Sequence, residues 1–124
     1  MGFADTLLSK YPLKTSTFTV EAWGESVTIR EWSSLQRAEF FAIAKATKDK
    51  AEAGDPLAGT AALKYAVAHS CIDAEGKPLF TDADLERVFS EAGQAAAAGF
   101  NEVFKRIVEI NGIGSEQVEQ AAKN

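Results

Sequence analysis

The sequence predicts a mainly α-helical α+β fold, a compact helical domain of four to five helices that carries a small N-terminal β-hairpin. Three observations carry that prediction. Apolar residues alternate with polar ones between Thr17 and Trp32; they recur at helical spacing from Leu35 to Ile110; and start and stop residues punctuate the helical stretch at intervals of ordinary helix length. A chain of 124 residues fits one domain, large enough to bury roughly two-thirds of its unfolded surface. We divide it into an arm (1–16), a hairpin (17–32), a helical core (33–111), and a short C-terminal helix with a tail (112–124).

The arm mixes Phe3, Leu7 and Leu8 with polar residues and ends at Tyr11-Pro12, where proline forces its predecessor into extended geometry. It reads as flexible or lightly docked. In the next segment Phe18 and Val20 precede Gly24, and Val27 and Ile29 follow it, with threonines and Arg30 interleaved. That period of two indicates two strands, and Trp23-Gly24-Glu25 supplies the turn, because glycine accepts the positive φ that tight hairpins use. A lone hairpin is barely stable in water, so its apolar face must cover helices or join another molecule.

Ser33 and Ser34 offer N-caps, and Gln36 stands three residues after Ser33, as a capping box requires. The helix they open has Leu35, Ala38, Ala42, Ile43 and Ala46 as its predicted stripe, widened by Phe40 and Phe41, and Gly54 as its stop. Asp55-Pro56 then reads as a cap followed by a first-turn proline. The helix it starts carries Leu57, Ala61, Tyr65, Ala68 and Ile72, with Val67 and Cys71 alongside. The segment Asp73 to Pro78 is a turn, and Thr81 with Asp84 forms a further capping box ahead of Leu85, Val88 and Phe89. Gly93, the alanines 95–98 and Gly99 predict either a break or a close helix contact, since glycine costs about 1 kcal/mol inside a helix. Periodicity returns at Phe100, Val103, Phe104, Ile107, Val108 and Ile110. It stops at Asn111-Gly112, and Ser115 caps a last turn or two.

Composition excludes several classes of function. Eighteen acidic against thirteen basic side chains give a net charge of −5, which disfavours phosphate backbones and anionic lipid, so neither nucleic acid nor membrane is an expected partner. Cys71 is the single cysteine, consistent with a reducing, cytosolic setting, and no window approaches the ~20 apolar residues of a membrane span. His69 and Cys71 lie two apart on the predicted helix and point to different faces, which suits neither a metal site nor a thiol–imidazole pair. The carboxylates of Asp73, Glu75, Asp82 and Asp84 lack calcium-loop spacing and fit a turn followed by a cap. A helix-turn-helix DNA reader over 85–107 would offer only Lys105 and Arg106, flanked by Glu102 and Glu109. Trp23 and Trp32 could stack on a ligand or seal the hairpin onto the helices, and the second fits hairpin-end tryptophans better. We therefore expect no enzyme, no metal and no cofactor.

Three segments, in order along most of the chain, resemble tail assembly chaperones of long-tailed bacteriophages. They are the hairpin Val20-Glu21-Ala22-Trp23-Gly24-Glu25-Ser26-Val27-Thr28-Ile29-Arg30-Glu31, the stretch DAEGKPLFTDAD from Asp73 to Asp84, and the ending FNEVFKRIVEINGIGSEQVEQAAKN. That family commonly shows a tryptophan-glycine hairpin ending in IRE, a D.G.PLFTD.D turn and cap, and an ELNG ending before an acidic tail. The glycine pair around the alanine run departs from the regular helix expected there. The resemblance implies a helper, absent from the mature virion, that works in the cytoplasm of the bacterial host. There it binds the tape measure protein, keeps it soluble and helps tail tube subunits polymerise around it. It also implies tape measure and tail tube proteins as partners, with self-association through the hairpin edge as a further contact. The partner-binding surface so expected is Phe100, Val103, Phe104, Ile107 and Val108 with Phe40 and Phe41, unless those residues form the chain's own core. A small virion structural protein, for tail completion or head–tail connection, is the rival reading, and a host regulatory binding module the third.

Overall fold

A computed structural model describes residues 2–54 and 60–113. Among these the chain forms α1 (Phe3–Lys10), β1 (Thr15–Val20), β2 (Glu25–Arg30), α2 (Ser34–Glu52), α3 (Thr60–Ser70), β3 (Cys71–Ile72), α4 (Asp82–Glu91) and α5 (Gln94–Ile110). The expected class, mainly helical α+β, is the observed one. Asp55-Pro56, Leu57, Ser115 and the tail lie outside the described residues.

The strands form one antiparallel sheet in the order β1-β2-β3, with Phe18 opposite Val27 and Thr17 opposite Thr28. Alternation then sorts the faces. Phe18, Val20, Val27 and Ile29 turn toward α5, while Thr17 and Thr28 join hydroxyls at 2.8 Å on the open face. The turn closes because Gly24 adopts φ +67° and its amide, with that of Trp23, donates to the Val20 carbonyl. The six residues of each strand fall within one or two positions of the expected hairpin.

Three differences from the sequence reading stand out. Residues 3–10 of the arm are helical, and Thr15 and Ser16 already belong to β1. The helix expected to run through Ile72 ends at Ser70, and Cys71-Ile72 becomes a third strand paired to Thr28 and Ile29. β2 has a free edge there, and the chain satisfies it locally: the Ser70 hydroxyl donates to the Arg30 carbonyl at 2.7 Å, and Ile72 bridges back to Pro78. In α2 the capping box is formed as expected, Ser33 and Gln36 exchanging bonds of 3.1 and 3.2 Å. The buried side, however, is that of Phe40 and Ala44, with Ile43 half-buried, while Leu35, Ala38, Ala42 and Ala46 are exposed. Small alanines leave the orientation of a helix undetermined, and Phe40, the fully buried one of its two rings, decides it by filling the centre of the core.

The turn after β3 matches its sequence. The Asp73 carboxylate accepts the amides of Glu75 and Lys77 at 2.8 and 3.0 Å, and Gly76 takes φ +81°. Thr81 caps α4 by accepting the Asp84 amide, and the Asp84 carboxylate accepts the Thr81 amide at 3.0 Å. That backbone bond holds the Asp84 carboxyl below the usual aspartate range. A depressed acid contributes stability at pH values above its unfolded pKa, and the contribution is lost as pH falls through its folded pKa. Acid titration followed by circular dichroism should therefore show a loss of stability that begins as pH falls through the ordinary aspartate range and continues below it, and that Asp84→Asn lacks. Identical acid profiles for the two proteins would contradict the cap.

The alanine run is helical, and the break falls before it, at Ala92-Gly93. Gly99 sits inside α5 where a Cβ would overlap the Trp23 indole. The ring rests edge-on against Phe100 with centroids 4.9 Å apart, and its Nε1 donates to the Ala96 carbonyl at 3.3 Å. Gly99→Ala should gain up to about 1 kcal/mol of helix propensity but displace this ring, at the cost of about 2–3 kcal/mol typical of overpacking. A net loss of about 1–2 kcal/mol in urea melts follows, turning into a gain once Trp23→Ala is also present. A more stable single variant would show that the ring does not lie where we place it.

Candidate interaction surface

α5 is the central helix. It packs on the sheet on one side and on α3 on the other, and α3 in turn contacts α2 and α4. This arrangement decides the fate of the seven residues the sequence offered as a partner surface. Phe40, Phe100, Val103 and Ile107 are fully buried in the chain's own core, and Phe41, Phe104 and Val108 are half-buried against it. The aromatic contacts show why. Phe100 is ringed by Trp23, Phe80 and Phe89 at centroid distances of 4.9, 5.7 and 5.1 Å, and Phe40 stacks on Trp32 at 4.7 Å and lies 6.0 Å from Phe104. The four buried residues therefore present no surface to a partner in the folded chain. The two tryptophans, likewise, sit at separate places in the packing and form no stacking pair.

Surplus apolar surface lies elsewhere. None of the eight residues of α1 is buried; Phe3 is 67% and Leu8 72% exposed, and Leu7 and Tyr11 are exposed beside them. Phe3, Leu7 and Tyr11 follow at intervals of four, so the signal for an apolar helix face was present in the sequence, masked by the short length and the following proline. An eight-residue helix is far below the ~12–15 residues at which isolated helices become even marginal in water, so α1 depends on a covering surface.

A second feature is concave. A groove of about 540 Å³ runs along α4, floored by Leu79, Phe80, Val88 and Ala92 and rimmed by Asp84, Arg87 and Glu91. Leu79 reaches it from the turn that the Leu79 amide ties to the Cys71 carbonyl at 3.0 Å, and it is 40% exposed. Sequence reading gave this region as a turn and a cap and missed the groove, although its lining residues all lie between positions 79 and 92, because the way the turn lies against α4 does not show in residue spacing.

Several titratable groups are engaged in structure. In the cleft of about 430 Å³ between α2 and α3, Tyr65 donates to Glu39 at 2.6 Å and stacks on His69, and Lys64 pairs with Glu86. Burial, reinforced by Glu39, raises the Tyr65 phenol above its ordinary value. Cys71 is buried, and desolvation pushes its thiol up to about 12, the opposite of what a nucleophile needs. Among the described residues no group of three or more His, Cys, Asp or Glu is placed to hold a metal ion, and no described helix is long and apolar enough to cross a membrane.

The fold and these surfaces define a small α+β domain with two uncovered apolar features, a convex helix and a concave groove. Among solved structures, that of the bacteriophage HK97 tail assembly chaperone is similar to 93% of this chain and 97% of its own, at 17% identity and a TM-score of 0.46. No family model matches the sequence, and no curated protein matches it.

Proposed function

We propose that this protein is a phage tail assembly chaperone. It binds the tape measure protein in the cytoplasm of the bacterial host, keeps that protein soluble and promotes assembly of the tail tube, and it stays out of the mature virion. The observation that carries the reading is α1, an apolar helix held out from a domain whose own core is complete without it. A binding protein needs such surface, and the net charge of −5 keeps a complex with an apolar client soluble. The three motifs behind the sequence resemblance also fall on the points that frame the fold: the Gly24 turn, the Asp73 turn with the Thr81 cap, and the Asn111-Gly112 helix end, where Gly112 has φ +65°. They specify shape, which is what a helper without chemistry requires.

The half-buried Phe41, Phe104 and Val108 belong to this reading as residues that support the contact surface, and the open outer edge of β1 as the place of self-association. Co-expression of the tape measure protein with and without this chain tests the role, with a several-fold rise in its soluble fraction expected. No rise would refute it. The exposed helix would equally suit docking within a particle, so mass spectrometry of purified virions separates the rival structural role: a chaperone is absent from them.

A further inference from the structure

α4 is a strongly acidic helix, with Asp82, Asp84, Glu86 and Glu91 against the single base Arg87. Two of these charges are already countered by neighbours. Lys64 pairs with Glu86, and Arg87 Nε lies 3.5 Å from Glu91. Among the described residues Asp84 forms no ion pair of this kind, although the Arg87 charge acts on it; its hydrogen bonds with Thr81 keep it ionised at the groove rim. The groove thus combines an apolar floor with a net negative edge. From Asp84 to Ala92 it follows α4 for about 12 Å, a little over two helical turns, and its volume suits a few side chains from one face of a helix.

We propose that the groove is the docking site for an amphipathic helix of the partner whose apolar stripe is flanked by lysine or arginine. This rests on the chaperone reading and gives the client segment a chemistry. Apolar side chains at i and i+3 or i+4 enter between Leu79 and Val88, and the flanking cations meet Asp84 and compete with Arg87 for Glu91, whose pairing is solvent-exposed. Charge argues against α1 of this chain as the occupant. α1 balances Lys10 with Asp5 and brings no net positive charge.

The test uses the full chain and three labelled peptides in fluorescence anisotropy at low salt. Two are helical and share one apolar stripe, with flanks entirely lysine or entirely glutamate; the third is residues 2–14 of this chain. The lysine peptide should bind at least tenfold more tightly than the glutamate peptide. Leu79→Glu and Glu91→Lys, both at exposed positions and checked for folding by circular dichroism, should each weaken it tenfold. Equal affinity for the two flanks, indifference to both substitutions, or tightest binding by the 2–14 peptide would overturn the assignment. Co-expression with the tape measure protein keeps the two ideas separable. If the unaltered chain and both variants solubilise the client equally, the groove is not its site and the chaperone reading stands; if the unaltered chain solubilises nothing, the reading itself fails.

Discussion

Phe100→Ala is expected to destabilise the protein by about 4 kcal/mol, the largest effect of any single truncation we consider. The ring is 1% exposed and joins three parts of the chain: the hairpin turn through Trp23, the loop before α4 through Phe80, and α4 itself through Phe89. Removing it leaves a cavity that three aromatic neighbours on different elements cannot jointly close. Against a total stability of about 5–15 kcal/mol for an ordinary domain, this is a large share. Urea denaturation at constant m-value measures it. A loss under about 1 kcal/mol would mean that the neighbouring rings collapse into the space and that the cluster is not the keystone we describe.

Asn111→Ala comes second, with a loss of about 2–3 kcal/mol expected from two buried hydrogen bonds, one of which leaves an orphaned amide. The Asn111 carboxamide accepts from the Trp32 amide at 2.8 Å and donates to the Ile107 carbonyl at 2.9 Å. Its own carbonyl accepts from Arg37 at 2.7 Å. One residue thereby fastens the end of α5 to the junction between β2 and α2. Aspartate keeps the acceptor but loses the donor and adds a buried charge, so Asn111→Asp should restore little at neutral pH. If alanine costs less than about 0.5 kcal/mol while Trp32 stays buried, water has replaced the side chain and the fastening is not structural.

Local chemistry made much of this fold legible in the sequence. The capping boxes at Ser33 and Thr81, the Asp73 turn and the Asn111-Gly112 stop each depend on residues within a few positions of one another, and all stand where the residue types put them. The end of α3 was different. Cys71 and Ile72 fit a helical stripe as well as a strand, and the free edge of β2, more than 40 residues upstream, settled the choice. The face of α2 was undetermined for a related reason: a stripe of alanines buries as readily as it exposes, and only the position of Phe40 in the assembled core turned the helix.

The candidate surface was the least legible part. Amphipathic spacing at Phe100, Val103 and Ile107 shows that a helix has an apolar face, but it does not say whether that face meets another molecule or the chain's own sheet. Burial on both flanks of α5 gave the answer. By itself the sequence determined most of the elements, the caps and turns at Ser33, Asp73, Thr81 and Asn111, and the acidic balance of the whole, because these are set by short-range bonding and by composition. Tertiary structure alone decided which apolar residues remain outside, leaving α1 uncovered and burying the face of α5, since exposure depends on how distant segments come together.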